Sequence, residues 1–509
     1  MSVVRAGPVV RGWGVSAGDR RLPDGFRVLL DRRARWVDDG RALLGGAPPR
    51  LVRLSARARE VLPPPGAPLV VEGPTHRALA RTLLDAGLAH PVPARAGTAP
   101  VRAGPTAAEV TVVIPVKDRP VDRLLAALAR DGLAAVVVDD GSADPAPLRR
   151  AARAAGATLL RHATPRGPAA ARNAGLAAAM TPFVAFLDSD VVPEPGWLPP
   201  LLAHLADPAV GLVAPRIVAL DPGGDGGPHG WHGLRGLVGR YEAVRSSLDL
   251  GPDPAPVVPR SRVAYVPSAA LLVRAADVGP VAFDPGMHVA EDVDLVLRLH
   301  AAGRSMRFEP ASRVAHDHRT SPVQWWRRKA FYGTGAAPLA QRHPGAVPPL
   351  VVSPWTAAVC LLLLLQRRGA TALAAVVTAV AAERLSRRLT GLRHPRRTAA
   401  RLAVLGLWGA LAQTASALTR HFWPLAALAL PFSRRARRAV VVAGIAEGIG
   451  DWWRHRDRDP RVRVGPVGYL LAHRLDDLGY GAGLWWGAWR RRTTAPLRPA
   501  GPGTARERR

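Results

Sequence analysis

The stretch FVAFLDSDVVPEPGWL, Phe183–Leu198, carries the strongest indication of fold and chemistry in this chain. Pro182–Leu187 is a short apolar run typical of a strand buried on both faces, and it ends at Asp188-Ser189-Asp190. Side chains at i and i+2 of an extended chain point to one side, so Asp188 and Asp190 can face the same point. Carboxylate oxygens suit Mg²⁺ or Mn²⁺, which makes the pair a candidate cation site; a solvated turn is the alternative.

The preceding sequence repeats this pattern of an apolar strand followed by acidic residues. Short apolar runs alternate with alanine-rich helical stretches, which predicts an α/β fold with a parallel sheet. The predicted strands are the apolar run within Glu109–Lys117, ended by Pro115, then Ala134–Val138 and Thr158–Arg161. The predicted helices are Leu124–Leu133, 146–155 and Ala169–Met180. Because ligands gather at the carboxyl ends of such strands, Asp139 and Asp140 strengthen the case for a site at Asp188 and Asp190.

Two segments further along the chain add polar side chains of the same kind. Glu291-Asp292 is typical of a helix N-terminus, where the helix dipole favours carboxylates, and plain first-turn acids are the alternative. Arg307–Pro310 and Ser312–Ala315 are expected to be extended and lead into His316-Asp317-His318. Two imidazoles close to a carboxylate indicate metal ligation there.

Five motifs in order resemble those of the family 2 glycosyltransferases of the GT-A fold: VVIPVKDRP, VVVDDGSAD, RGPAAARNAG, FVAFLDSDVVPEPGWL and AEDVDLVLRL. The resemblance covers about residues 109–320. It implies an enzyme with a nucleotide-sugar donor, a divalent metal (Mn²⁺ or Mg²⁺) and inversion at the anomeric carbon.

Carried over by position, the resemblance also implies roles for single residues. The nucleoside of the donor would be contacted by Val116, Asp118, Asp140 and Asp188, the metal would be held by Asp190 and His316, and the general base would be Asp292. The predicted acceptor-binding residues are Glu291, Trp325 and Trp326, with core packing as the alternative for the two tryptophans. The Q-x-x-R-W motif of processive enzymes is imperfect, since Arg328 stands where its tryptophan belongs.

The charge of the chain is large, positive and uneven. Its 509 residues carry 70 basic residues, of which Lys117 and Lys329 are the lysines, and 39 acidic ones, for a net charge of +31. Residues 351–509 alone carry a net +19, which suits nucleic acid or an anionic membrane surface. Nucleic acid is disfavoured because the arginines are not interleaved with stacking aromatics. One cysteine, Cys360, excludes a disulfide framework.

The region 346–509 consists of apolar runs that are interrupted by arginines. Its apolar runs are 351–365, 369–382, 402–418, 422–432 and 439–450. A spanning helix needs about 20 apolar residues, and only 402–418 comes near that length. We predict a helical region at the cytoplasmic face of the cell membrane, either spanning the bilayer or lying in its interface, with a soluble helical bundle as the alternative.

The first block, 1–105, is predicted to be a small α+β, winged-helix-like module that precedes the GT-A domain at 106–345. It ends in a Pro- and Gly-rich linker at His90–Pro105. The predicted strands are Phe26–Asp31, Ala34–Asp38 and Arg41–Leu44, and the predicted helices are capped by Ser55 and Thr75 and end at Leu62 and Leu88. The module resembles peptide-recognition domains, and a plain packing domain is the alternative.

Within the family, three parts of the chain are together similar to the glycosyltransferases of mycofactocin biosynthesis. These parts are the leader LPDGFRVLLDRRARWVDDGRALLGGAPPRLVRLSARAREVL, the core with FDPGMHVAEDVDLVLRL, and the arginine-rich tail. The similarity implies transfer of glucose from UDP-glucose onto a peptide-derived redox cofactor, building an oligoglucoside. A lipid or cell-wall acceptor is the alternative within the class. A non-catalytic sugar-nucleotide- or peptide-binding scaffold is the alternative of another class.

Overall fold

A computed structural model describes residues 20–92, 104–220, 233–318, 320–389 and 392–502 of the chain. It divides into two compact units. The first comprises Met1–Pro222 and Ser247–His318, and the second comprises Gly223–Ser246 and Arg319–Arg509, each over its described residues. We treat the two units separately below.

Between residues 20 and 92, the N-terminal module of the first unit has two three-stranded sheets and two α-helices, which confirms its α+β character. Its elements are β1 (Arg27–Leu30), β2 (Arg35–Val37), β3 (Ala42–Gly45), β4 (Arg50–Arg53), α1 (Ala56–Val61), β5 (Leu69–Val70), α2 (Gly73–Asp85) and β6 (Ala89–Pro91). The sheets have the orders β5-β1-β6 and β2-β3-β4. Hydrophobic side chains from the strands and both helices pack in one cluster around Leu43 and Leu83.

The predicted helix boundaries of this module are right for one helix and wrong for the other. Ser55 caps α1, its side chain accepting a hydrogen bond from the N–H of Ala58. Thr75 does not cap α2, which begins at Gly73 and ends at Asp85, because Pro74 fits the first helical turn. His90 lies in β6 and not in a linker, and residues 93–103 of the predicted linker lie outside the described residues.

Over its described residues, the large sheet of the first unit has nine strands in the order β11-β15-β12-β14-β10-β7-β8-β9, with β13 paired to β15. Its strands are β7 (Val110–Val116), β8 (Ala134–Asp139), β9 (Thr158–Arg161), β10 (Phe183–Leu187), β11 (Val191–Pro193), β12 (Val210–Ala219), β13 (Ala255–Pro256), β14 (Ala270–Arg274) and β15 (Ser305–His316). The helices along this part of the chain are α3 (Asp122–Arg130), α4 (Ala146–Ala154), α5 (Pro168–Ala178), α6 (Leu198–Leu205), α7 (Gly233–Arg245), α8 (Ala275–Val278) and α9 (Glu291–Ala301). Of these helices, α7 belongs to the second unit.

The strands predicted from apolar runs form the parallel part of this sheet. β10, β7, β8 and β9 are parallel neighbours, whereas β14 runs antiparallel to both β10 and β12. In β7, Val112 and Ile114 pack in one hydrophobic cluster and Val113 packs in another, so both faces are covered. Burial of each such side chain contributes roughly 1.5–3 kcal/mol. The predicted α/β fold is confirmed, and its apolar runs reflect a sheet buried on both sides.

The second unit is helical. Besides α7 it contains α10 (Pro322–Thr334), α11 (Ala336–Arg342), α12 (Pro354–Leu364), α13 (Arg368–Ser386), α14 (Pro395–Ser416), α15 (Trp423–Ala429), α16 (Arg434–His455) and α17 (Pro466–Arg490). By length and composition, two of its described segments could cross a membrane: Arg368–Ser386, which is 11% buried, and Pro395–His421, which is 22% buried. The predicted apolar helical region is present.

The interior of the second unit is charged. Lys329 of α10 is 4% exposed, and its ammonium nitrogen lies 2.9 Å from Glu242 of α7 and 3.1 Å from Asp476 of α17. Burial favours loss of this charge, but the two carboxylates outweigh burial and raise the pKa of Lys329 above its ordinary value. Glycines allow α10 and α17 to approach closely, since a Cβ on Gly483 would lie 1.7 Å from the carbonyl oxygen of Ala330.

Candidate active site

The acidic residues predicted from sequence lie where neighbouring parallel strands end. β7 ends at Val116, which pairs in register with Asp139 of β8, and β10 ends one residue before Asp188. β10 and β7 are adjacent, so these ends meet at one edge of the sheet. The prediction that ligand-binding groups gather at this edge is consistent with the topology.

Two of these carboxylates hold the loops that surround them. Asp140 accepts hydrogen bonds of 2.8 Å from the backbone N–H groups of Arg166 and Gly167, and His162 Nδ1 lies 2.7 Å from it. Burial alone would raise the pKa of Asp140, but these partners outweigh it and lower the pKa below its ordinary value. Asp118 accepts from the N–H of Ala143 at 2.8 Å, which ties the end of β7 to the loop after β8.

Arg172 of α5 connects the two acidic segments of the site. It is 3% exposed and donates to Asp188 at 2.5 Å and to Glu291 at 3.0 Å. Burial would lower the pKa of Arg172, but the two carboxylates raise it, so the guanidinium stays charged. Sequence analysis placed Glu291 among acceptor-binding residues; the structure places one of its oxygens against Arg172.

The neighbouring residue, Asn173, fixes the loop that leads into α9. Its side chain makes two hydrogen bonds with the backbone of Phe283, donating to the carbonyl at 2.6 Å and accepting from the N–H at 3.0 Å. The Phe283 ring packs edge-to-face on Phe186 of β10, with ring centroids 5.1 Å apart. The start of α9 is thereby positioned relative to the sheet.

Asp292 lies in the first turn of α9. Its carboxylate accepts hydrogen bonds from the backbone N–H of Ser268 at 3.0 Å and of Val293 at 2.8 Å. Burial, and then the charge of Glu291, raise the pKa of Asp292 to about 7, while the two hydrogen bonds and Arg172 oppose that rise. A carboxylate with a pKa near neutrality is suited to accepting a proton at working pH.

Asp190 and His316 come together at the paired ends of β11 and β15. Asp190 Oδ1 lies 3.6 Å from His316 Nε2, and His318 Nδ1 lies 3.2 Å from His316 Nδ1. Two ligands of one ion, each roughly 2.0–2.2 Å from it, are at most about 4.4 Å apart. The oxygen and nitrogen donors of Asp190 and His316 therefore fit a shared divalent cation.

Arg119, which sequence analysis did not single out, also lies here. Its guanidinium donates to Asp190 Oδ2 at 2.7 Å and lies 3.5 Å from Asp317. The sequence indicated this role only through the position of Arg119, three residues beyond the end of β7.

The two tryptophans predicted to bind acceptor lie in the second unit. Trp325 is 4% exposed and donates to Glu242 at 2.8 Å, as the core-packing alternative expects. Trp326 is 38% exposed and lines a mainly apolar cavity of about 450 Å³ with Val323 and Leu475.

A further group of potential metal ligands lies in the second unit, at Glu447, His473 and Asp477. Arg474 pairs with Glu447 and lies 3.1 Å from Asp477. A guanidinium thus already neutralises these carboxylates, so the cluster is an internal ion-pair network.

In sequence, the chain is similar to known glycosyltransferases over most of its length. The sequence profile of "Glycosyl transferase family 2" matches residues 111–256. The pre-mycofactocin glycosyltransferases of two Mycobacterium tuberculosis strains are each 47% identical over 486 residues, covering 94% of this chain and 98% of theirs.

The solved structures that match this chain are more distant in sequence. A mannosyltransferase from Pyrobaculum calidifontis, in complex with GDP-Man and Mn²⁺, is 21% identical with a TM-score of 0.35, over 73% of this chain and 87% of its own. Glucosyl-3-phosphoglycerate synthase from Mycobacterium tuberculosis, in complex with Mn²⁺ and UDP, is 19% identical with a TM-score of 0.30, over 46% of this chain and 78% of its own.

Proposed function

The chain belongs to the family 2 glycosyltransferases, and from that premise we propose that it transfers glucose from UDP-glucose onto pre-mycofactocin, with inversion and with a divalent metal. As a member of this family, the chain is an enzyme with the GT-A fold. This argues against the alternative of a non-catalytic scaffold. The acceptor is proposed from the 47% identity to pre-mycofactocin glycosyltransferases. The mechanism is proposed from one observation: Arg172 joins Asp188 to the helix turn that carries Asp292.

At the donor end, Val116, Asp118, Asp140 and Asp188 would contact the nucleoside. Asp140 Oδ2 accepts one hydrogen bond within the described residues, from Gly167, so it can accept another from a base. Asp188 is held by Arg172, which fixes its orientation toward a ribose hydroxyl.

The metal would be held by Asp190 and His316, whose donor atoms lie 3.6 Å apart. Mn²⁺ or Mg²⁺ bound there would neutralise the negative charge of the diphosphate leaving group. Aspartate oxygen is an ordinary ligand of both ions. The imidazole nitrogen of His316 is a softer donor, so the pair suits Mn²⁺ better than Mg²⁺.

At the acceptor end, Asp292 would act as general base. The N–H groups of Ser268 and Val293 orient its carboxylate. The proton of the acceptor hydroxyl passes to Asp292 as the oxygen attacks the anomeric carbon from the face opposite the leaving diphosphate, which inverts the configuration. Glu291 is the proposed acceptor contact in this unit, and the acceptor role predicted for Trp326 stays a prediction.

We propose that the second unit binds the cytoplasmic face of the cell membrane. α13 and α14 expose large apolar side chains, with Val376 56% and Trp408 73% exposed. Arginines flank these helices at Arg367, Arg368, Arg387, Arg388, Arg396 and Arg397. Apolar faces with basic ends suit insertion into anionic lipid. The same feature favours the alternative of a lipid or cell-wall acceptor.

A labelling experiment separates these acceptors. Purified enzyme with Mn²⁺ receives radiolabelled UDP-glucose or GDP-mannose, and pre-mycofactocin competes with a bacterial lipid extract. We expect label from UDP-glucose in pre-mycofactocin. Label in lipid alone would establish the alternative acceptor, and label from GDP-mannose alone would overturn the proposed donor.

A further inference from the structure

Arg119 places a positive charge at the proposed metal site of this structure. Its Nη1 donates to Asp190 Oδ2 at 2.7 Å, while the other oxygen of Asp190 faces His316 Nε2 at 3.6 Å. Its Nη2 lies 3.5 Å from Asp317 Oδ2. The Arg119 guanidinium and a metal ion at Asp190 therefore compete for the same carboxylate.

The surroundings of Arg119 fix its backbone and leave its side chain able to move. Asp118, the residue before it, adopts a left-handed conformation with φ 51° and is hydrogen-bonded through its carboxylate to Ala143. The Arg119 side chain is 40% exposed, and its partners within the described residues are the carboxylates of Asp190 and Asp317. Exposed ion pairs of this kind are weak, so a stronger anion nearby can displace them.

We propose that Arg119 holds Asp190 while the donor is absent and passes to the diphosphate of the donor when donor and metal bind. The inference rests on the proposed function, which supplies the metal and the diphosphate. A divalent cation and a guanidinium on one carboxylate repel each other, whereas a diphosphate offers arginine a bidentate partner. Metal and donor then bind together, and Arg119 acts as a donor-positioning residue.

Binding of Mn²⁺ without turnover tests the first half of this inference. Free Mn²⁺ is titrated by electron paramagnetic resonance, with and without UDP, against the wild type, Arg119→Gln and Arg123→Gln. Arg123 is an exposed arginine on α3 and serves as the matched control. Without UDP we expect Arg119→Gln to bind Mn²⁺ about fivefold more tightly than the wild type, as loss of a partly exposed ion pair allows. The control keeps the wild-type affinity.

Calorimetry with UDP and with uridine tests the second half. In saturating Mn²⁺, Arg119→Gln is expected to weaken UDP binding about tenfold, since it loses a charge-assisted hydrogen bond to phosphate, and to leave uridine binding unchanged. Arg119→Lys, which keeps the charge, is expected to bind UDP with an affinity between those of the wild type and Arg119→Gln.

The outcomes distinguish this inference from the proposed function. Affinities of Arg119→Gln for Mn²⁺ and UDP within twofold of wild type would overturn the role of Arg119 alone. Asp190→Asn serves as the site control: Mn²⁺ binding that survives this change would overturn the metal site, and the inference with it.

Discussion

The two units of this chain place apolar and charged side chains in opposite ways. In the first unit, apolar strands fill the interior and the carboxylates Asp140, Asp188 and Asp190 lie at the edge of the sheet. In the second unit, Val404 and Trp408 are 62% and 73% exposed, whereas Lys329 is 4% exposed among carboxylates. The first pattern is that of a domain that folds in water, with an apolar interior and its carboxylates gathered where the strands end.

The exposed apolar side chains and buried charges of the second unit indicate what surrounds its helices. Water disfavours a large exposed apolar surface, and soluble monomers rarely show one. Lipid removes that cost, and helices in lipid pack through small residues and buried polar contacts. The glycines of α17 and the ion pairs of Lys329 match this description, which supports the proposed membrane face.

Replacement of Asp292 should separate catalysis from folding in the first unit. Asp292→Asn keeps the shape of the side chain and cannot accept the proton, so we expect kcat to fall about 10³-fold. Calorimetric affinity for UDP should remain that of the wild type, because Asp292 has no role at the donor end.

Asp122→Asn, an exposed acid in the first turn of α3, is the matched control and should keep full activity. A rate for Asp292→Asn close to the wild-type rate would show that another group takes the proton.

Replacement of Lys329 should act on stability in the second unit. Lys329→Met removes the cation that Glu242 and Asp476 share, and Arg420, 3.7 Å from Asp476, compensates part of the loss, so we expect a cost of about 3 kcal/mol, at the lower end for a buried pair. Thermal unfolding in detergent, followed by helical circular dichroism, measures the loss. Arg57→Met, at an ion pair that is 72% and 63% exposed, should leave the transition unchanged. Equal stability of the two variants would contradict the buried network.

Two glycine replacements compare helix contacts within the second unit. A Cβ on Gly483 of α17 would meet the Ala330 carbonyl, whereas a Cβ on Gly409 of α14 would meet nothing within 4 Å. Gly483→Ala should destabilise the unit by about 1–3 kcal/mol, and Gly409→Ala should stabilise it slightly through helix propensity. Thermal unfolding in detergent measures the stability of both variants. A Gly409→Ala variant less stable than Gly483→Ala would contradict the close approach of α10 and α17.

The pH dependence of activity should follow Asp292. Its pKa of about 7 means that the base is protonated below that pH, so kcat/KM should fall about tenfold per pH unit on the acid side and level off above it. The same raised pKa makes folding favour the protonated carboxyl, so the stability that this group contributes is fully present below about pH 3.8 and declines as pH rises from there to about 7, above which the contribution is lost. An activity profile flat between pH 5 and 8 would exclude Asp292 as the titrating base.

The parts of the fold that could be predicted from sequence are those with strong local signals. The strand Thr158–Arg161 was predicted with the bounds that the structure shows, and the helix at Glu291 begins where expected. In both cases, hydrophobic periodicity or acids at a helix start carry the information within a few residues. The predicted start of α2 at Thr75 was wrong because Pro74, which suits the first helical turn, outweighed the capping tendency of Thr75.

Contacts between distant segments could not be predicted in this way. Arg119 contacts Asp190, which lies 71 residues further along the sequence. Lys329 pairs with Asp476, which is also far from it in the sequence. Charged residues spaced so far apart leave no periodic pattern, because only the folded chain brings them together. The candidate site was therefore predicted by its carboxylates, while the contact of Arg119 with Asp190 became visible only in the structure.

The product formed on pre-mycofactocin tests the central claim most directly. Purified enzyme, Mn²⁺ and UDP-glucose are incubated with that acceptor, and the product is analysed by intact mass and by the anomeric coupling constant in NMR. The account predicts a ladder of hexose additions with β linkages, as inversion of the α-linked donor requires. Hexose joined with α linkages, or no addition while lipid is glucosylated, would contradict it.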